Sequence, residues 1–303
     1  MAEVPVAPSA PAAASGTAQD PGPDRDSGGT ERLDVALVRR GLARSRTHAA
    51  KLVAAGRVTV GPKPAKRASQ PVEADAEVAV AGGEDDVAAE VDWVSRGAVK
   101  LDRALAAFAE RRAPGVPVSG LRCLDAGAST GGFTEVLLAR GAAVVEAVDV
   151  GHDQLAPSLR ADPRVHDRAG TSVRGLDPAE VGGPADLLVA DLSFISLCTV
   201  LPDLAALVRR GGQMVLMVKP QFEVGRAKLP RGGVVREARD RVDAVLGVVR
   251  AARDAGWTPL AVTRSALPGP AGNLEFFVWL TSDPVDGPAL DDDDVTRTVG
   301  EAQ

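Results

Sequence analysis

The sequence predicts an α/β protein with two folded domains, a small α+β domain followed by a larger doubly wound domain with a parallel sheet. A chain of 303 residues has room for about two domains, and 45% hydrophobic residues are ample for a core. After Trp93 short apolar runs alternate with amphipathic segments, which is typical of parallel strands flanked by helices. Two shorter helical patterns and small strands precede this alternation, between residues 31 and 83.

Both ends of the chain lack apolar periodicity. The N-terminal 30 residues are rich in Ala, Pro, Ser and Gly, and the C-terminal segment contains four consecutive aspartates, Asp291 to Asp294. Such compositions are typical of disordered tails. The predicted organisation is therefore a disordered tail over 1–30, a first domain over 31–83, an acidic linker over 84–92, a second domain over 93–282 and an acidic disordered tail over 283–303.

The net charge of −6 conceals a basic segment. The two tails hold 11 of the 41 acidic residues and 2 of the 35 basic ones, which leaves 30 acids and 33 bases between them. From Val35 to Val72 there are nine Lys or Arg residues and no Asp or Glu. Because a solvated surface normally mixes both signs, this run favours a polyanionic partner such as nucleic acid.

Several functional classes are excluded by composition. Two cysteines, Cys123 and Cys198, cannot form a disulfide framework or a Cys-rich zinc site, and both are interpreted as small core residues. No metal site is expected. No apolar run approaches the roughly 18 residues that span a bilayer, and the N-terminus does not have the pattern of a secretory signal. A cytoplasmic location is therefore expected.

The first domain has an ordered series of local signals. A short helix from Leu33 ends near Gly41, and Ser45 is a plausible N-cap for a second helix that ends near Gly56. Strands are predicted at Arg57–Val60 and Glu77–Val80. This order resembles the S4 RNA-binding domain, and the matching residues are Arg32-Leu-Asp34, Gly41, Ser45-Arg46, Ala50, Leu52 and Gly56-Arg-Val-Thr-Val60.

The second domain alternates strands and helices. Four strands are predicted at Arg122–Asp125, Val144–Asp149, Leu187–Asp191 and Met214–Val218, followed by a closing pair at Leu260–Arg264 and Glu275–Leu280. Helices are predicted at Leu101–Arg111, Phe133–Arg140, Leu201–Val208 and Arg239–Ala255. A closing strand pair after such an alternation is typical of the methyltransferase variant of the doubly wound fold.

A glycine-rich loop connects the first strand of this domain to a helix. Its spacing, G-x-x-x-G-G from Gly127 to Gly132, differs from the G-x-G-x-x-G of dinucleotide sites, and Asp125 precedes it. An acid there would repel a pyrophosphate but suits the ammonium group of a methionine moiety. Asp149 ends the next strand, where a carboxylate can accept both ribose hydroxyls of a nucleoside. These features favour S-adenosylmethionine over a dinucleotide, with the candidate contacts Asp125, Gly127, Ser129, Gly131, Gly132, Phe133, Asp149, Thr171 and Ser172.

Four charged residues fall on loops, strand ends or the start of a helix at the expected cofactor edge: Lys100, Asp191, Lys219 and Glu275. Each alone is better explained as a surface ion pair, whereas the four together at one edge favour a catalytic set. The loop after the fourth strand, Asp191-Leu-Ser-Phe194, lacks the prolines typical of exocyclic-amine methyltransferases. Neither cysteine lies where a carbon-5 methyltransferase needs its nucleophile.

The four residues resemble the Lys-Asp-Lys-Glu tetrad of ribose 2′-O-methyltransferases related to FtsJ. The combination with an S4 domain is similar to the TlyA/haemolysin A family, from which Val99 departs because the family often has His at that position. The strings that carry this likeness are Trp93-Val-Ser-Arg-Gly97, Lys100-Leu101, Asp191-Leu-Ser-Phe-Ile-Ser196 and Lys219-Pro-Gln-Phe-Glu223.

The resemblance implies a Rossmann-like methyltransferase domain, with a seven-stranded sheet and a closing strand pair, preceded by an S4 RNA-binding domain. It also implies transfer of a methyl group from S-adenosylmethionine to a ribose 2′-hydroxyl of cytidine in ribosomal RNA, by a monomer. Lys219 is the candidate to take the hydroxyl proton or to stabilise the developing alkoxide, and the sequence leaves both roles open. The candidate RNA contacts are Arg39, Arg40, Arg44, Arg46, Lys51, Arg57, Arg96, Arg226 and Arg231.

Two other functions stay open at this point. A non-catalytic RNA-binding or ribosome-assembly factor would keep the same fold without methyl transfer. The haemolysin label suggests a membrane-active toxin, which the lack of a signal and of a spanning segment disfavours.

Overall fold

The computed structural model describes residues 30–40, 42–43, 46–54, 56–73, 76–80, 93–225, 229–285, 287 and 289–302. The chain divides into two compact units, residues 1–90 and 91–303. Each unit has its own cluster of buried apolar side chains.

The first unit contains two helices and two small antiparallel sheets. Strand β1 pairs with β4, and β2 lies between β3 and β5. Leu33 and Leu37 of the first helix pack with Leu52 of the second and Val58 of β2, so the helices pack against the sheet that contains β2. The elements are β1 (Thr30–Arg32), α1 (Leu33–Arg39), α2 (Arg46–Ala54), β2 (Val58–Val60), β3 (Lys63–Pro64), β4 (Pro71–Glu73) and β5 (Val78–Val80).

The second unit alternates strands with helices, as the sequence predicts. Its strands are β6 (Arg122–Ala126), β7 (Val144–Asp149), β8 (Val165–Ala169), β9 (Ala185–Ala190), β10 (Val208–Val218), β11 (Thr258–Arg264) and β12 (Phe276–Thr281). Its helices are α3 (Arg96–Arg111), α4 (Gly132–Ala139), α5 (Pro157–Arg160), α6 (Leu197–Ala206), α7 (Pro220–Glu223), α8 (Ala238–Asp254) and α9 (Asp292–Gly300), with a 3-10 turn at Pro178–Val181.

The seven strands form one sheet in the order β11-β12-β10-β9-β6-β7-β8. Strand β12 is antiparallel to both neighbours, and the other pairs are parallel. Alternate residues of β9 enter opposite cores, with Leu188 and Ala190 in one cluster and Leu187 and Val189 in the other. This confirms the predicted doubly wound sheet with a closing strand pair.

Strand β8 is the strand for which the sequence gives no usable apolar signal. It lies at the edge of the sheet and has the composition Val-His-Asp-Arg-Ala. Two of its polar side chains, His166 and Arg168, instead contact the buried Glu146 of β7 at 2.6 and 2.7 Å. An edge strand that is held by polar side-chain contacts does not show the apolar run of a central parallel strand.

The prediction that the whole C-terminal segment is a disordered tail is wrong, because α9 is a capped and packed helix. The Asp291 carboxylate accepts a hydrogen bond from the Asp294 amide at 2.7 Å, and Val295 and Val299 are fully buried. The acidic run lies in the first turn, where the helix dipole stabilises negative charge. The carboxylate of Asp292 also forms ion pairs with two arginines of α8, Arg250 and Arg253.

The interpretation of both cysteines as core residues is correct for Cys123 and wrong for Cys198. Cys123 is fully buried in β6, whereas Cys198 is exposed near the start of α6. Leu197 and Val200 carry the buried face of that helix, so the side chain between them points outward.

Candidate active site

The candidate residues meet at one edge of the sheet. Parallel strands β6, β7, β9 and β10 all end at this edge, and the antiparallel β12 begins there because Val218 pairs with Phe276. Lys219 and Glu275 therefore lie directly beyond the paired ends of two adjacent strands. In open α/β sheets the carboxyl edge is where ligands bind.

The glycine loop after β6 requires glycine for geometric reasons. Gly127 has a φ of 86°, and a Cβ on it would lie 2.7 Å from the carbonyl oxygen of Asp191. Gly131 has a φ of 94°, and a Cβ there would lie 2.2 Å from Leu159 Cδ1. The glycines thus let the loop pass close to the end of β9 and to α5.

A cavity of about 490 Å³ lies beside this loop. Five of the nine predicted cofactor residues line it, namely Gly127, Ser129, Asp149, Thr171 and Ser172. The other four, Asp125, Gly131, Gly132 and Phe133, do not line it. Further lining comes from Val148, Val150, Gln154, Val173, Arg174, Asp191, Leu192, Ser193, Phe194 and Ile195.

The Asp149 carboxylate is held beside the glycine loop by two backbone hydrogen bonds. One oxygen accepts a hydrogen bond from the Ser129 amide at 2.9 Å, and the other accepts from the Gly151 amide at 2.7 Å. Each carboxylate oxygen can accept more than one hydrogen bond. Asp149 therefore keeps acceptor capacity for a pair of ligand hydroxyls.

Asp125 has a different environment from the one that the sequence suggests. It is fully buried, and its Oδ2 accepts hydrogen bonds from the amide of Thr134 at 2.8 Å and from the hydroxyl of the same residue at 2.7 Å. Its Oδ1 is buried and has no partner within the described residues. Burial raises the pKa of this carboxyl to about 7. Asp125 thus anchors the start of α4, and its contact with a ligand ammonium stays a prediction.

This raised pKa predicts a pH dependence of stability. Because the folded carboxyl binds its proton more tightly than the unfolded one, the native state holds more protons between pH 4 and 7, and stability falls as the pH rises through that range. In Asp125→Asn this contribution is absent, so the variant gains on the wild type by up to about 1 kcal/mol per pH unit. Urea unfolding of both proteins at a series of pH values measures the difference. Parallel curves would contradict the assignment.

The predicted tetrad is present as two ion pairs. Lys100 Nζ on α3 lies 2.5 Å from Glu275 Oε2, with Lys100 7% and Glu275 2% exposed. Lys219 Nζ lies 2.7 Å from Asp191 Oδ1 and donates a hydrogen bond to Ser193 Oγ at 2.7 Å. Buried charges are tolerated when they are paired in this way. The edge therefore holds two oriented ammonium groups, and that of Lys219 contacts Asp191 and Ser193, which line the cavity.

Three residues near Lys219 are not among the site residues predicted from the sequence, namely Phe194, Phe222 and Glu223. Phe194 is 91% exposed, has a φ of 64°, and its ring centroid lies 5.2 Å from that of Phe222. A left-handed backbone is uncommon for a bulky residue and is often found at functional sites. Glu223 contacts the start of α6 through two hydrogen bonds. Their only sequence signal is membership of the two strings that contain Asp191 and Lys219.

The predicted RNA contacts of the first unit are more heavily paired than the charge run suggests. Arg39 forms an ion pair with Glu31, and Arg46 lies 3.2 Å from Asp34. Glu31 and Asp34 lie just before the segment from Val35 to Val72. Counting charges within that segment therefore does not reveal these two ion pairs. Arg40 donates to the Ala76 carbonyl. Arg57 is half-buried at the start of β2.

Three other basic residues of the first unit have no carboxylate partner among the described residues. Lys63, Lys66 and Arg67 are exposed and form no ion pair within the described part of the chain. In the second unit Arg96 donates to the Pro268 carbonyl at 3.1 Å, and Arg231 is exposed. Three of the predicted contacts lie outside what is described, namely Arg44, Arg226 and the side chain of Lys51.

Comparison with known families agrees with this architecture. Residues 93–282 match the model of the FtsJ-like methyltransferase family, and residues 31–78 match that of the S4 domain. The first of these matches includes all the candidate catalytic and cofactor residues.

Individual relatives extend over most of the chain. The 16S/23S rRNA (cytidine-2′-O)-methyltransferase TlyA of Mycobacterium tuberculosis is 52% identical over 82% of this chain and 89% of the relative. Hemolysin A of Brachyspira hyodysenteriae is 32% identical over 81% of this chain and 97% of the relative.

A solved structure, named "Putative hemolysin from Streptococcus thermophilus", is 34% identical and aligns with a TM-score of 0.66 over 91% of this chain and 96% of that one. The chain therefore belongs to the FtsJ-like methyltransferases and, with its S4 domain, to the TlyA family within them.

Proposed function

We propose that this chain transfers a methyl group from S-adenosylmethionine to a ribose 2′-hydroxyl of ribosomal RNA, with cytidine as the target nucleoside. The observation that carries the proposal is the pair of ion pairs at one sheet edge, Lys100 with Glu275 and Lys219 with Asp191, of which Asp191 also lines the cavity of the glycine loop. The relative in Mycobacterium tuberculosis has this reaction in its name, which supports the choice of nucleoside.

The cavity residues fit a nucleoside with an attached amino acid. Asp149 can accept from two ribose hydroxyls, and the apolar side chains of Val148, Val150 and Val173 suit the faces of a purine. Gly127 leaves room close to the backbone where a Cβ would collide. When bound, S-adenosylmethionine supplies an electrophilic methyl group on a positively charged sulfur.

The tetrad residues have separable tasks in the proposed reaction. Lys219 contacts the 2′-oxygen and either takes its proton or donates a hydrogen bond to the developing alkoxide. Asp191 and Ser193 fix the direction of Lys219 Nζ, each at 2.7 Å. Glu275 holds Lys100 in the same way. Most of the acceleration then comes from positioning the hydroxyl in line with the methyl group.

The first unit supplies affinity for the RNA backbone. Phosphate contacts give affinity and position, and they carry no sequence information directly. The exposed Lys63, Lys66 and Arg67 add to the predicted arginines as candidates for these contacts. We further propose that the protein acts in the cytoplasm as a monomer, with domain boundaries at 31–83 and 93–282.

None of the helices among the described residues has both the length and the apolar character that a bilayer crossing requires. Two similar proteins are named as hemolysins, and that name applies to them and not to this chain.

Substitution of Asp149 tests the cofactor site. Asp149→Ala removes the acceptor of the ribose hydroxyls, and we expect the Kd for S-adenosylmethionine to rise roughly 10- to 100-fold. Calorimetry measures it, with Asp162→Ala, a half-buried carboxylate just after α5 that does not line the cavity, as the matched control. Tight binding of NAD by the wild type, without binding of S-adenosylmethionine, would sink the assignment.

Methyl incorporation tests the function itself. Purified protein, labelled S-adenosylmethionine and ribosomal subunits that lack the modification are expected to give labelled 2′-O-methylcytidine after digestion to nucleosides. Label confined to base-methylated nucleosides would reject ribose transfer, and label in another 2′-O-methyl nucleoside would reject cytidine. A protein that binds the methyl donor and RNA without any incorporation would instead be a non-catalytic RNA-binding factor.

A further inference from the structure

Two segments of the active edge are joined at three points. The first segment, residues 191–197, follows β9, and the second, residues 219–223, follows β10. Lys219 contacts Asp191 and Ser193 at one end of the first segment. The rings of Phe222 and Phe194 contact each other in the middle, and Glu223 contacts the far end.

The contact of Glu223 replaces an ordinary helix cap. Ser196 is the N-cap residue of α6, but its side chain makes no capping hydrogen bond to that helix. Its hydroxyl instead donates to Glu223 Oε2 at 2.6 Å, and the Leu197 amide donates to Glu223 Oε1 at 2.7 Å. A carboxylate from a different element thus satisfies the free N–H at the start of α6, where the helix dipole also favours negative charge.

The residue between these anchors has a backbone that needs support. Phe194 has a φ of 64° and is 91% exposed, so its own burial does not stabilise its conformation. Left-handed backbone at a bulky residue costs about 1–3 kcal/mol and persists only where the surroundings enforce it. Lys219 and Glu223 hold the chain on either side of Phe194.

We infer that Glu223 is a positioning residue, which sets the Asp191–Ser196 loop relative to Lys219 by capping α6. The inference rests on the proposed methyl transfer. Glu223 does not line the cofactor cavity. Residues 191–195 of the loop that it positions do line the cavity, so its loss lowers the rate of transfer most and the affinity for the methyl donor to a smaller extent.

The test compares Glu223→Ala and Glu223→Gln with the wild type. For Glu223→Ala we expect kcat at saturating RNA and S-adenosylmethionine to fall about tenfold or more, because small displacements of reacting groups are costly. The Kd for the methyl donor should rise by a smaller factor than kcat falls, since Asp149 and the glycine loop are untouched although residues 191–195 also line the cavity. Glu223→Gln keeps an acceptor for the Leu197 amide and a polar group opposite Ser196, and it should recover most of the rate.

Asp291→Ala is the matched control for a purely structural effect. Asp291 also caps a helix with its carboxylate, at 2.7 Å from the Asp294 amide, but α9 carries no candidate site residue. We expect both alanine variants to lower the Tm by a similar amount and only Glu223→Ala to lower kcat.

Three results would overturn the inference: a Glu223→Ala rate within threefold of the wild type, an equal loss of rate in Asp291→Ala, or no recovery in Glu223→Gln. A wild type that binds the methyl donor and transfers nothing would overturn the proposed function instead, and the inference with it.

Discussion

Lys219→Ala is expected to lower kcat for RNA methylation about a thousandfold, while the fold and the affinity for S-adenosylmethionine stay nearly unchanged. Lys219 Nζ is oriented by Asp191 and Ser193 at 2.7 Å each, and both functions proposed for it need contact with the 2′-oxygen. Its side chain does not line the cofactor cavity. Single-turnover methyl transfer at saturating RNA measures the effect.

A control and a second variant sharpen this experiment. Arg210→Ala removes an exposed cation near the start of β10, the strand whose other end precedes Lys219. We expect this variant to leave the rate unchanged. Lys219→Arg keeps a positive charge but cannot accept a proton. A measurable rate in Lys219→Arg would assign the stabilising role, and near wild-type activity in Lys219→Ala would remove Lys219 from the mechanism.

The second large effect concerns removal of the first unit. Deletion of residues 1–83 is expected to lower methylation of folded ribosomal RNA about a hundredfold and to flatten the salt dependence of RNA binding, because each lost phosphate contact removes about 0.7 to 0.9 from the log–log slope. The second unit is compact by itself, so its affinity for S-adenosylmethionine should be unchanged. RNA binding and methyl incorporation over a salt series compare the two proteins.

A milder change tests the same idea in the full-length chain. Lys63, Lys66 and Arg67 are exposed without a carboxylate partner, so replacing all three by Ala should reduce the salt slope by about two. The deletion and this variant should then weaken binding in the same direction. Equal slopes and equal activity in all three proteins would mean that the basic segment is only a solvated surface.

The central strands were predictable because their apolar runs end in polar residues with a chemical reason to be there. The strand Val144–Asp149 has the predicted bounds, and β6, β9 and β10 end within one residue of them. Asp191, Lys219 and Glu275 flank strand ends at one edge, so sheet topology alone brings them together. The pairing of Lys100 with Glu275 is a tertiary contact that no local pattern specifies.

The parts that were not predictable depend on partners distant in sequence. Strand β8 is held by the buried Glu146 of β7, and α9 is an acidic helix whose two buried valines pack into the core of the second unit. Asp125 looks like a ligand contact in the sequence, yet it anchors Thr134. Glu223 gives no signal by itself, because its function depends on the start of α6.

The central claim is that the acceptor is a ribose 2′-oxygen, and alkaline hydrolysis of the labelled RNA product tests it most directly. A 2′-O-methyl group prevents the neighbouring hydroxyl attack on the phosphodiester, so the bond survives alkali. We expect the transferred label in alkali-stable dinucleotides with the wild type and no label with Lys219→Ala. Recovery of the label in mononucleotides would show that the methyl group lies on a base and would contradict the proposed role of the tetrad.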